Sequence, residues 1–163
     1  MIQIFLRINE IKIFFITHNP TFFFDFFLFR NSSFFRFAAE IRPSSGSFYL
    51  PKGDITDFTE LVDYGEIFNP TTGRLTTNEE GDFLLHVSAF KSKDYGKGGM
   101  IDVYKNQDLV HRILENDVEN GLMINAVFTL HLQKGDEVKL YNNFDESIYV
   151  SSHDPFTFTG YKI

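Results

Sequence analysis

The stretch DYGEIFNPTTGRLTTNEEGDFLL, residues 63–85, contains the clearest pattern of strands and turns in the chain. It contains two clusters of turn-forming residues, 69–73 and 78–81. In the first cluster Pro70 fixes φ near −65° and Gly73 can supply a positive φ. Only the short β-prone run 74–77 lies between the clusters, with Leu75 as its inward residue. The stretch therefore predicts strand, turn, short strand, turn and long strand, with no room for a helix.

The segment FLLHVSAF, residues 83–90, follows the second turn and has the pattern of a full strand. Side chains alternate between the two faces of a β-strand. One face would carry Phe83, Leu85, Val87 and Ala89, and the other Leu84, His86, Ser88 and Phe90. The first set is suited to a hydrophobic core.

Three blocks of the chain resemble the complement C1q globular domain, which shares its fold with tumour necrosis factor. In the first block Gly65, Gly73 and Gly81 stand at the spacing of the family signature, with like-for-like changes at most of the aromatic positions. The second block is LHLQKGDEVKL, residues 130–140, and the third is the C-terminal TFTGYKI, residues 157–163. The resemblance covers residues 35–163 and implies a ten-stranded jelly roll that assembles as a homotrimer.

The remaining pattern agrees with an all-β fold without the help of the family. About ten short segments of β-prone sequence are separated by turns, which is typical of a β-sandwich or jelly roll. One of them, residues 55–62, alternates imperfectly, and residues 44–47 are assigned to a loop. The pattern therefore predicts an all-β sandwich or jelly roll, and the resemblance implies that it is a ten-stranded jelly-roll β-sandwich of the C1q and tumour necrosis factor type over residues 35–163.

Residues 1–34 form a Phe-rich N-terminal extension outside this domain. Twelve of the 21 Phe lie in residues 1–37. Charged residues and Pro20 divide the apolar runs, so each is shorter than the ~20 residues of a membrane span, and the pattern fits a signal peptide poorly. Three interpretations stay open: a degenerate signal or anchor, a mispredicted start, or a membrane-associating arm.

Composition excludes several classes of function. The net charge is −7 and no basic stretch favours nucleic acid. There is no cysteine for a disulfide or a thiolate metal site. Catalytic motifs are absent from the sequence, and Asp136 is interpreted as a turn residue that accepts backbone hydrogen bonds. A third hypothesis is a β-sandwich carbohydrate-active enzyme such as a glycosidase, which requires paired carboxylates in a cleft.

Calcium is the one cofactor that the sequence leaves open. Some members of the resembled family bind calcium near the top of the trimer, and the acidic loops here lie at 115–119 and 142–146. Asp117 and Asp145 are the candidate ligands, although neither loop has the spacing of an EF-hand.

The resemblance also assigns an interface. Leu84, His86 and Phe90 of one strand, and Val127 and His131 of the strand 123–132, would point away from the sandwich core. A lone domain gains nothing by exposing such apolar side chains together. We therefore expect these five residues to line the trimer interface, and the two histidines to make the trimer acid-sensitive.

The resemblance implies a secreted, non-enzymatic recognition domain. No Gly-x-y repeat for a collagen stalk is present in the sequence, which is typical of stalk-free forms in innate immunity or of the cerebellin type. The expected partners are other copies of the chain and an extracellular protein or a pathogen-surface glycan, with a membrane contact only through residues 1–34. The alternative is a tumour-necrosis-factor-like cytokine that binds a receptor.

Overall fold

The structure is a computed structural model that divides into two compact units, residues 1–34 and 35–163. It describes residues 35–91, 101–114, 123–143 and 148–163 in full. For Met100, Leu122 and three strands before residue 35 it describes the backbone alone.

The first unit contains the strands β1 (Gln3–Ile8), β2 (Ile11–Ile16) and β3 (Phe27–Phe29). They form one antiparallel sheet in the order β1-β2-β3. No helix in the described part of the chain is long and apolar enough to cross a bilayer.

The second unit has thirteen strands within its described ranges. They are β4 (Arg36–Ile41), β5 (Ser47–Tyr49), β6 (Gly53–Asp54), β7 (Thr59–Tyr64), β8 (Phe68–Asn69), β9 (Arg74–Thr76), β10 (Gly81–Lys91), β11 (Met100–Lys105), β12 (Asp108–Leu114), β13 (Leu122–Leu132), β14 (Glu137–Asn142), β15 (Ile148–Ser151) and β16 (Phe156–Lys162). The all-β prediction is confirmed. The count exceeds ten because β5, β6 and β8 have only two or three residues, too few to show alternation.

The larger sheet is built around β10. All of β10 pairs with β13 along one edge, from Gly81 opposite Leu132 to Lys91 opposite Leu122. Along the other edge β10 pairs first with β16 and then, at Phe90 and Lys91, with β15. The strands β4 and β7 continue the sheet beyond β16, and β5 continues it beyond β15.

The smaller sheet has the order β12-β11-β14-β9-β8, and β6 also pairs with β14. All of its pairings are antiparallel. Its outermost strand β12 is mostly exposed, whereas β14 alternates between half-buried and buried positions.

The core lies between the two sheets. As the sequence predicts, Phe83, Leu85, Val87 and Ala89 of β10 are fully buried. The smaller sheet contributes buried Leu75, Val103 and Leu140. Phenylalanine rings fill much of the space, with Phe37 stacked on Phe68 at 4.8 Å and edge-on to Phe158 at 4.8 Å. Such pairs are worth about 0.5–1.5 kcal/mol beyond the burial of their area.

Side chain and backbone contacts fix the turns of residues 63–85. Both carboxylate oxygens of Asp63 accept backbone hydrogen bonds, from Ile67 at 3.1 Å and Phe68 at 2.9 Å. Gly73 has the predicted positive φ, at 65°. The prediction of a strand over residues 55–62 was partly wrong, because Asp57 has a φ of 60° and the strand β7 begins only at Thr59.

Gly73 provides a test of this turn. A Cβ on Gly73 would lie 2.0 Å from the carbonyl oxygen of Ile55, whereas a Cβ on Gly46, with a similar φ of 73°, would meet nothing within 4 Å. In both Gly→Ala variants the free energy of unfolding should fall by about 1–3 kcal/mol, because alanine is strained in the left-handed conformation. For Gly73→Ala the free energy of unfolding should fall by about 1–3 kcal/mol more, because the new Cβ clashes with the carbonyl oxygen of Ile55. Urea unfolding of the two variants measures the difference, and equal losses would contradict this account of the turn.

Candidate functional site

The outer surface of the larger sheet is the first candidate site. We call the outward side chains of β10 from Leu84 to Phe90, together with those of β13 and β16, the large-sheet face; they are Leu84, His86, Ser88, Phe90, Met123, Asn125, Val127, Thr129, His131, Thr157, Thr159 and Tyr161. They point outward because their neighbours in each strand point into the core. The β10 members are half-buried by the strands on both sides, and the β13 members are exposed.

The structure brings the five residues assigned to the interface onto one surface. His86 lies opposite Val127 in the β10–β13 register, and Leu84 lies two residues along β10. Phe90 lies toward the end of β10 where β15 begins. Val127 is 62% exposed, although it stands in the middle of its strand. His131 lies at the other end of the same surface, opposite Asp82.

Several apolar residues of this surface were missed by the sequence analysis. Met123, 42% exposed, lies opposite Phe90, and Tyr161, 48% exposed, lies opposite Leu84. Beside Phe90, the ring of Tyr149 is edge-on at 6.0 Å and is followed by Tyr49 at 5.5 Å. These residues extend the apolar surface beyond the two strands that sequence patterns had singled out.

His131 is held between two carboxylates. Its Nδ1 lies 2.8 Å from Asp82 Oδ1, and its Nε2 lies 3.4 Å from Glu80 Oε1. The hydrogen bond with Asp82 raises the pKa of His131, with further help from the charges of Asp82 and Glu80. The imidazolium form is thus favoured toward neutral pH. At this residue the contacts oppose the expected acid sensitivity, because protonation strengthens an attraction.

A second apolar surface lies where the two sheets end side by side. We call the exposed Leu109, Val110 and Leu114 of β12, together with the neighbouring edge of β13, the open side. The ring of His111 in β12 stacks on that of Phe128 in β13 at 4.7 Å, which shows that the two strands approach each other there. In the described residues β13 forms a ladder with β10 alone.

The calcium prediction lies outside the residues that the structure describes. Both Asp117 and Asp145 fall in segments without a described placement. In the described ranges no group of three or more acidic or histidine side chains is placed to hold a metal ion. Of the neighbouring amides, Asn142 donates to the carbonyl oxygen of Leu50 at 3.0 Å, and Asn143 donates to Asp102.

Asp136 has the structural role that the sequence predicts. It accepts a hydrogen bond from the backbone N–H of Gln133 at 2.8 Å and others from Asn106 and Lys105. Lys105 first, and then the two other donors, lower the pKa of Asp136 to about 2. A carboxylate held by three donors is a poor general acid at neutral pH.

A shallow cleft of about 320 Å³ opens beside β8 and β9. Its walls include Asn69, Arg74 and Thr76, and Glu66 is the single carboxylate among the residues that line it. A retaining or inverting glycosidase needs two facing carboxyl groups. This cleft therefore offers a surface for binding without the acid pair that the glycosidase hypothesis requires.

Comparison with known proteins gives one family and one fold. The model of the C1q domain family matches residues 43–163. The globular domain of the zebrafish complement 1qA protein aligns with a TM-score of 0.61 and 18% identity, over 79% of this chain and 97% of that chain. Eiger TNF from S. frugiperda aligns with a TM-score of 0.59 and 14% identity, over 81% and 94% of the two chains. Murine APRIL aligns with a TM-score of 0.58 and 12% identity, over 78% and 99%. No curated protein sequence matches the chain.

The His131 contacts can be tested by titration. Asp82→Asn removes the charged hydrogen-bond partner, so the pKa of His131 should fall toward its ordinary value of 6.5. NMR titration of the imidazole Cε1–H measures this pKa. Asp108→Asn, which removes an exposed carboxylate from β12, is the matched control.

The same contacts set the sign of the pH dependence. Since the folded pKa of His131 lies above the unfolded value, its contribution to stability is present below about pH 6.5 and is lost as the pH rises through the folded pKa. An unchanged titration in Asp82→Asn would show that Asp82 does not raise the pKa of His131.

Proposed function

Because the chain belongs to the C1q domain family, we propose that it is a secreted, non-enzymatic recognition module that acts as a homotrimer. The observation that carries the assembly is the large-sheet face, where Val127, Met123 and Tyr161 are 62%, 42% and 48% exposed on β13 and β16, the strands on either side of β10. Contiguous exposed apolar side chains of this kind are typical of surfaces that meet another protein.

A ring of three copies needs two different surfaces on each protomer. A twofold contact joins a patch to itself, whereas a contact that closes a ring joins one patch to another. The large-sheet face and the open side meet this requirement, since both expose large apolar side chains and they adjoin along β13. We therefore assign the contact to the large-sheet face of one protomer and the open side of the next.

The recognition role rests on the family. Such a module would bind a pathogen-surface ligand in innate immunity or a receptor in a cerebellin-like role. Residues 1–34 would act either as a signal that is removed from the mature protein or as an anchor that is retained. The acidic loops with Asp117 and Asp145 would supply carboxylate ligands for a calcium ion.

The alternative is a tumour-necrosis-factor-like cytokine. It is compatible with the likeness to Eiger TNF and murine APRIL, which shows a shared fold at 12–14% identity. The family model that matches the sequence is that of the C1q domain, and this favours the first proposal. Both proposals imply the same trimer and differ in the partner that it binds.

Two charge substitutions test the assembly. Val127→Glu alters the large-sheet face and Leu114→Glu alters the open side; both residues are 62% exposed, so neither substitution disturbs the core. Each variant alone should sediment as a monomer, because every contact in the ring would include one altered surface and bury a charge. Leu61→Glu, at a residue 55% exposed on β7, is the matched control and should remain trimeric.

Mixing the two variants tests the pairing of the surfaces. One Val127→Glu protomer and one Leu114→Glu protomer retain a single intact contact between them, so an equimolar mixture should contain a species of two protomers and none of three. Sedimentation velocity measures the species present. A variant that stays trimeric would show that its altered surface is not part of the contact. A mixture that stays monomeric would contradict the pairing of the large-sheet face with the open side.

A further inference from the structure

The outer surface of the smaller sheet carries a network of ion pairs in which the positive and negative charges balance. Lys139 donates to both oxygens of Asp54, at 2.7 and 3.0 Å. Arg74 contacts Asp54 at 3.3 Å and also donates to Glu137. Two cations thus face two anions, and each of these side chains is between 23% and 33% exposed.

A second pair on the same surface is also balanced. The guanidinium of Arg112 donates to both oxygens of Asp102, at 2.6 and 2.8 Å. Asp102 is only 1% exposed and also accepts from Asn143. The chain carries a net charge of −7, but the charged side chains of these two groups cancel. These two groups therefore present polar atoms without a net charge.

Two tyrosines lie between the ion groups. The rings of Tyr104 and Tyr141 are edge-on at 6.1 Å and half-buried. Tyr104 pairs with exposed Leu109 on one side and with Lys139 on the other. The Nζ of Lys139 lies 5.6 Å from the Tyr104 ring centroid, which helps to fix the position of that ring.

The surface leads into the cleft beside β8 and β9. Tyr104, Lys139, Arg74 and Asn69 occupy matching positions on β11, β14, β9 and β8. Neighbouring strands are about 4.8 Å apart, so the row spans roughly 14 Å. Arg74 and Asn69 also line the cleft. The aromatic pair, the ion network and the cleft form one continuous surface, which we call the small-sheet face.

We propose that the small-sheet face binds a neutral oligosaccharide, with Tyr104 and Tyr141 contacting the sugar C–H faces and Asp54, Arg74 and Glu137 hydrogen-bonding its hydroxyls. The proposal rests on the recognition role proposed above and names its site and ligand class. A sugar ring has an apolar face and a rim of hydroxyl donors and acceptors. Side chains already held in ion pairs lose little rotamer freedom when they bind such a rim.

The composition of the surface favours a sugar over other partners. An anion would find Arg74 and Lys139 already neutralised by Asp54 and Glu137. The cores of protein interfaces are depleted in Lys, Glu and Asp, which occupy the centre of this surface. The small-sheet face also lies on the opposite side of the sandwich from the large-sheet face, and the proposed trimer contact borders it only along β12, where Leu109 lies opposite Tyr104.

Tetrasaccharides of mannose, glucose and N-acetylglucosamine are suitable probes because they are neutral and monovalent. We expect at least one of them to shift the backbone amide signals of β9, β11 and β14 in NMR spectra of the full chain. Tyr104→Ala and Tyr141→Ala should each weaken its binding by about tenfold or more by calorimetry. Tyr64→Ala, the same change at an exposed tyrosine of the larger sheet, should leave the affinity unchanged.

Two further variants and a charged probe complete the test. Tyr141→Phe keeps the ring, so it should retain most of the binding and exclude misfolding as the cause of a loss. A heparin tetrasaccharide should not bind. The proposal is overturned if none of the neutral probes shifts a signal at millimolar concentration, if the shifts map elsewhere, or if heparin alone binds.

The solution mass separates this proposal from the one above. A trimer that binds none of the neutral probes contradicts only the oligosaccharide site. A monomer that binds one through Tyr104 and Tyr141 contradicts only the assembly, because all the residues of the site belong to one protomer.

Discussion

The alternation of side chains along β10 is the constraint on which the rest of the domain depends. Because the period of a strand is two residues, burying Phe83 and Leu85 forces Leu84 and His86 onto the opposite surface. A shift of one residue against β13 would exchange the two sets and place polar side chains in the core. One register therefore defines both the hydrophobic core and the large-sheet face.

The two outer surfaces of the sandwich differ in the kinds of side chain that their strands place outward. Outward positions of β10, β13 and β16 carry mostly apolar and uncharged polar side chains, such as Val127, Tyr161 and Thr159. Outward positions of the smaller sheet carry charged side chains that neutralise one another across β6, β9 and β14. The first kind of surface gains free energy by leaving water, whereas the second remains hydrated and keeps its polar atoms in place. This division is consistent with a domain that assembles through the large-sheet face and the open side and keeps the ion network of the smaller sheet available to a ligand.

Local sequence was enough to predict the fold, because its signals lie within a few residues of each other. The turn at Gly73, the alternation after Gly81 and the role of Asp136 all depend on near neighbours. The sequence analysis missed Tyr161 and Met123 on the large-sheet face, because their place depends on which distant strands pair with β10. The pair of Asp54 and Lys139 was invisible for the same reason, as the two residues are 85 positions apart. The strand expected over residues 55–62 shows a further limit, since its alternation did not reveal the positive φ of Asp57.

The long edge of β13 has a consequence for the chain before it assembles. Its eleven residues, LMINAVFTLHL, include no Lys, Arg, Asp, Glu, Pro or Gly, and its register with β10 runs without a bulge. Natural proteins usually protect an edge strand with charges, prolines or bulges, since an unprotected edge can template strand addition by other chains. In the described ranges no second strand pairs with this edge, so a newly folded protomer would be prone to aggregate until a partner covers it. The rate at which protomers meet, as well as the strength of their contact, would then decide how much of the protein stays in solution.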